Sequence, residues 1–134
     1  MRRRTFLAAC CAMPDTPLAH GIVYLQRKQS RDGAWRSETY GLLRDGYSLT
    51  PFVANALLDA GAFTGRAIDF IEKHALVFGD DYPCYSAALS LKALFRSGRK
   101  APKLVNWLRE QQLTEQNGWR PDDAAYGAWG IGGP

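Results

Sequence analysis

Apolar and polar positions along this 134-residue chain recur with a helical period. Ile22, Leu25 and Gln29 fall at i, i+3 and i+7, one face of a first helix. Thr50 to Gly61 reads as another helix, with Thr50 as N-cap, Pro51 in the first helical position and Gly61 as the stop. A further stripe, Ala67, Phe70, Ile71 and Ala75, predicts a helix from Thr64 to about Phe78. Ala88, Leu91, Ala93, Leu94 and Phe95 predict one from Tyr85 to Gly98. Leu104, Val105 and Leu108 predict the last, from Ala101 to Gln112, with Pro102 in its first turn. No segment alternates with period two for more than a few residues, and no apolar run reaches the roughly 18 residues of a membrane span. The pattern predicts an all-α chain.

The helical pattern also repeats. Shifting the chain by 37 residues superimposes Ala56 on Ala93, Leu57 on Leu94, Gly61 on Gly98 and Phe70 on Trp107. Two helices per 37 residues is the unit of a stacked-hairpin architecture. Superposed on this is a shorter pattern that occurs twice. Tyr24-Leu25 is followed by Gln29, Gly33 and Trp35; Trp107-Leu108 is followed by Gln112, Gly118 and Trp119. Each Gln sits in the last turn of a helix, where the final carbonyls have no intrahelical partner. The glycine permits the reversal that carries a Trp back onto the Gln. Each copy is expected to clamp a helix end, and Ile68 to Gly79 reads as a decayed copy with Ala75 in place of the Gln.

These residues resemble the QW motif of the squalene cyclase and prenyltransferase superfamily. The resemblance covers residues 17–134 and implies part of an α/α toroid, in which helical hairpins close into a ring around a cavity. It implies no particular reaction, because cyclases, prenyltransferases and thioester proteins share that ring. The chain holds an opening helix and two hairpins, so the expectation is the N-terminal part of such a ring. It would present an open edge able to self-associate.

The first 14 residues carry a different message. Arg3-Arg4-Thr5-Phe6-Leu7 matches the twin-arginine export pattern, followed by the apolar run Ala8 to Met13. Leu7-Ala8-Ala9-Cys10 also resembles a lipobox, with Cys10 as the lipidated residue. The expectation is a signal segment over 1–14, a repeat domain over 15–134, and export across a bacterial inner membrane, with a cytoplasmic chain as the alternative.

Charge adds little. The net charge is +4, of which Arg2, Arg3 and Arg4 supply three, and the other cations scatter over helix faces. No basic stripe with interleaved aromatics is present, which argues against nucleic acid as a partner. Three cysteines, two of them in the signal segment, exclude a disulfide framework.

Catalytic chemistry is sparse. The Asp-x-Asp-Asp acid of class II terpene cyclases is missing, as is the Asp-Asp-x-x-Asp of metal-dependent diphosphate ionisation. Asp80-Asp81 and Asp122-Asp123 read as turn residues. Cys84-Tyr85-Ser86 resembles two zinc-ligand positions of prenyltransferase β-subunits, but Asp81 is one residue out of step, so Asp81 and Cys84 are weak metal candidates. No catalytic residue, metal or cofactor is assigned. Tyr40, Tyr47, Tyr82, Tyr85, Tyr126 and Trp129 lie where inner helices begin, at the mouth of an expected cavity. Two classes stay open: a non-catalytic exported repeat protein that binds an isoprenoid, a peptide or another partner on its concave face, and a fragment of an isoprenoid enzyme.

Overall fold

A computed structural model describes residues 15–78 and 82–132. Among them are five α-helices and two short 3₁₀ turns: α1 (Pro17–Lys28), α2 (Leu49–Asp59), α3 (Gly65–Lys73), α4 (Pro83–Arg96) and α5 (Pro102–Glu110), with the turns at Gly41–Leu43 and Glu115–Asn117. The described residues include no strand and no helix long and apolar enough to cross a membrane. The chain is all-α, as its periodicity predicts.

Local chemistry explains most boundaries. The Thr16 hydroxyl accepts from the Ala19 amide at 3.2 Å, Pro17 opens α1, and Arg27 and Lys28 sit in its last turn, where cations suit the helix dipole. Gly61 and Gly98, 37 residues apart, follow α2 and α4 with φ of 74° and 73°. Each of their amides returns to a carbonyl three residues back, on Leu58 and Phe95.

α4 runs two residues earlier at both ends than the expected Tyr85 to Gly98 and α5 stops at Glu110, and two further boundaries differ for reasons visible in the structure. α2 starts at Leu49, and Thr50 lies inside it instead of capping it. The Thr50 hydroxyl accepts from the Trp35 amide at 3.0 Å, so a long-range contact takes the group that sequence assigns to a cap. α3 ends at Lys73, short of Phe78, where His74 leaves helical geometry and a turn closes from the Val77 amide to the His74 carbonyl.

α2 and α4 pack side by side and run parallel, α3 packs on both, and α5 packs on α4. Parallel alignment follows from two contacts. The Ser48 and Ser86 hydroxyls meet at 2.6 Å where the helices begin, and Arg96 reaches Asp59 at 2.6 Å where they end. Between them the Asn55 amide donates to the Leu89 carbonyl at 2.9 Å. The repeat-related Leu57 and Leu94 are both fully buried in one core with Ile68, Ile71 and Leu104. Against that core, Phe78 lies on Trp107 with ring centroids 4.3 Å apart and planes tilted by 38°, and Arg99 pairs with Asp69 at 2.8 Å and with Glu72.

Candidate functional site: a duplicated clamp beside an apolar groove

After α1 the chain reverses so that the Trp35 indole donates to the Leu25 carbonyl at 2.7 Å, while the Gln29 amide donates to the Gly33 carbonyl at 2.9 Å. The Ser30 amide donates to the Ala34 carbonyl, and the Gly33 amide to the Ser30 carbonyl. The Leu25 carbonyl, orphaned at the helix end, and the indole N–H of the buried Trp35 are thereby satisfied together. Gly33 is needed twice over: its φ is 94°, and a Cβ there would stand 2.2 Å from the Arg66 carbonyl oxygen. Arg66, opening α3, also donates to the Gln29 side chain at 3.0 Å.

The same four bonds recur after α5. The Gln112 amide donates to the Gly127 carbonyl at 2.8 Å and the Trp129 indole to the Leu108 carbonyl at 2.6 Å. The Leu113 amide donates to the Ala128 carbonyl, and the Gly127 amide to the Leu113 carbonyl. The tryptophan in this second clamp is thus Trp129 rather than Trp119, and its glycine is Gly127 rather than Gly118. Trp119 lies within an excursion between Gln112 and Gly127, where its backbone amide donates to the Thr114 carbonyl. Gly118 ends the 3₁₀ turn with φ 81°. Asn117 holds the excursion against the end of α5 through the Glu110 and Gln112 carbonyls. A readable signal existed: Gly-Ala-Trp occurs at 33–35 and again at 127–129.

The flanking aromatics take other roles. Tyr24 is exposed, with the Lys28 ammonium 5.8 Å from its ring centre, and Trp107 packs at a tilt on Phe78.

The six aromatics placed at a cavity mouth divide into two groups. Tyr82, Tyr85 and Trp129 gather around two connected apolar hollows. A groove of about 720 Å³ runs along α4 and α5, lined by Tyr85, Leu91, Phe95, Val105, Leu108 and Trp129, and Lys92 brings a positive charge to it. A hollow of about 350 Å³, lined by Leu49, Phe52 and Tyr82, shares Tyr85 and Ile131 with the groove. The remaining three lie elsewhere. Tyr40 is exposed, Tyr47 stacks on Phe70 with His74 tilted against it, and Tyr126 donates to Glu115 at 2.8 Å.

Ionisable groups near the clamps are held by ion pairs and turns. The Arg36 guanidinium hydrogen-bonds Asp32 and lowers its carboxyl to about 2. Backbone bonding at the 3₁₀ turn, then the Tyr126 hydroxyl, lower Glu115, and the Tyr126 hydroxyl is raised in return. Asp123 accepts from the Arg120 amide at 2.7 Å and Asp122 pairs with the Arg120 side chain, a turn and not an acid site. Among the described residues no three His, Cys, Asp or Glu side chains gather as metal ligands. Asp80 and Asp81 lie outside the described residues, as do Cys10 and the twin-arginine segment. Cys84 is buried in the first turn of α4.

No protein-family model matches this chain, nor does any curated protein or any solved structure.

Proposed function

We propose that this chain is a non-catalytic, exported repeat protein of the α/α-toroid kind seen in squalene cyclases and prenyltransferases, and that its apolar repeat face binds a partner. What supports the toroid reading is the duplicated Gln–Trp clamp, together with parallel α2 and α4 flanked by α3 and α5. The observation that carries the binding role is the groove along α4 and α5. It leaves Tyr85, Phe95 and Ile131 exposed beside one another, an apolar surface that gains free energy when covered. Export rests on Arg3-Arg4-Thr5-Phe6-Leu7. Among the described residues the groove is lined by no carboxylate to protonate an alkene, and it lies open to water, whereas that chemistry demands a positioned acid and a dry cavity.

The test is a farnesol titration of dilute protein, followed by tryptophan fluorescence. Saturable quenching that is lost in Phe95→Asp is expected, because Trp129 lines the same groove. Absence of saturation would sink the binding reading. A cyclic terpene from squalene, or a prenylated peptide from farnesyl diphosphate and a Cys-containing peptide, would overturn its non-catalytic part.

A further inference from the structure

The 37-residue repeat identifies what the α4 face is shaped to receive. Ser48, just before α2, and Asn55 on it reach α4, and Pro51 and Leu58 share their helical face; Ser48, Pro51 and Asn55 are buried and Leu58 is partly buried. One repeat later these positions are Tyr85, Ala88, Lys92 and Phe95, and all four are exposed, Phe95 at 80%. The α4 face is therefore the translated copy of a surface that another helix already covers within the chain. The converse holds for the free face of α2, which adjoins that of α4 at the hollow lined by Phe52 and Tyr85. Leu89, Ala93 and Arg96 of α4 lie against α2, with Ala93 fully buried. One repeat earlier stand Phe52, Ala56 and Asp59, again all exposed, Phe52 at 53%.

We infer that a second copy of this chain stacks head to tail, its α2 face covering the α4 face of the first as α4 covers α2 within each copy. The inference rests on the binding-face reading above and names its partner. Charge supports the register. Asp59 and Arg96 are themselves one repeat apart, so at the junction the second copy's Asp59 meets the first copy's Arg96. Each copy already joins its own Asp59 to its Arg96 through Oδ1 and Nη1, so the junction extends that pair into a shared row of charge with the roles exchanged. Lys92 takes the place of Asn55, whose amide donates to the Leu89 carbonyl, and its ammonium donates to the equivalent carbonyl, that of the second copy's Phe52. A two-fold pairing of the α4 face with itself lacks this complement, because α4 carries no acidic residue to meet Lys92 or Arg96. The contact is heterologous, so it extends beyond a dimer, into a ring if the rotation closes and a filament if it does not.

The test uses Phe52→Asp and Phe95→Asp, both at exposed positions, in the full chain, with helical circular dichroism confirming that each variant is folded. By sedimentation velocity at roughly 100 µM, where mass action favours assembly, wild type should form species larger than a dimer and each variant should be a monomer. Mixing the two variants should restore a one-to-one dimer and nothing larger, since each keeps the face the other has lost. A monomeric wild type, a Phe52→Asp protein that still self-associates, or a mixture that stays monomeric would each overturn the inference. Farnesol binding by dilute monomer is read separately, so the groove reading stands or falls on its own result.

Discussion

Trp129 donates its indole proton to the carbonyl of Leu108, 21 residues earlier, in the geometry that joins Trp35 to Leu25 across 10 residues. The fixed quantity is the position of each carbonyl four residues before its Gln, and of each ring two residues after its Gly. The intervening length is free to vary. The two rings are nevertheless unequal, because Trp35 is buried at 3% exposure and Trp129 stands at 48%. Trp35→Ala should cost about 3–5 kcal/mol as a large core truncation. Trp129→Phe should cost about 1 kcal/mol, the net worth of one hydrogen bond. Trp119→Phe should stay within about 0.5 kcal/mol. Urea midpoints at constant m-value rank the three, and a Trp119 variant less stable than the Trp129 variant would refute the assignment of the second clamp.

The glycines of the two clamps should also part company. Gly33→Ala drives a methyl into the Arg66 carbonyl and keeps a positive φ, so a loss of more than about 2 kcal/mol is expected. Gly127 has φ 80° but open space around it, so Gly127→Ala should cost only about 1 kcal/mol of backbone strain. Equal shifts in thermal midpoint for the two variants would contradict the close approach of Gly33 to α3.

Acid should act at the first clamp through Asp32. Its folded carboxyl is lowered from 3.8 to about 2, so the unfolded chain takes up the proton first and stability falls as pH drops through that window. The contribution is complete above about pH 4 and gone below about pH 2. Because the carboxylate is 48% exposed and open to screening, it is worth less than about 1 kcal/mol. Asp32→Asn should flatten the stability curve between those limits and leave the slope above pH 5 unchanged. An unaltered acid limb in urea titrations would discard the Asp32–Arg36 pair as its source.

Export is tested away from the fold. A reporter fused after Pro14 should reach the periplasm of a bacterial host, and Arg3→Lys with Arg4→Lys should hold it inside, because a twin-arginine signal is read by receptor and not by charge alone. Equal export of the double variant would remove the signal assignment.

Much of the fold was legible because it depends on local rules. Apolar stripes at helical spacing placed α2 to α5 within a few residues, and the 37-residue shift found the equivalence of Leu57 and Leu94, which share one core. What escaped depends on contacts between residues distant in sequence. Thr50 has the chemistry of an N-cap, yet its hydroxyl belongs to the Trp35 amide, 15 residues away. Spacing alone points the second clamp to the nearest Gly-Trp pair after Gln112 and does not announce that the chain leaves and returns; only the repeated Gly-Ala-Trp marks that return. Of the proposed mouth aromatics, Tyr47 went to an aromatic stack and Tyr126 to Glu115, pairings invisible to periodicity.

The excursion between Gln112 and Gly127 carries a practical consequence. Gln and Gly are 4 residues apart in the first clamp and 15 apart in the second, with the same bonds at both ends. Chain-closure entropy rises only logarithmically with length, so the longer span costs on the order of 1 kcal/mol. The clamp is in effect a socket whose rim is specified and whose contents are not. Foreign sequence placed between Asn117 and Gly127 would be displayed beside the open α4 face while the hairpin beneath kept its register. A loop hung on such a socket can change in length or content while the core beneath keeps its packing.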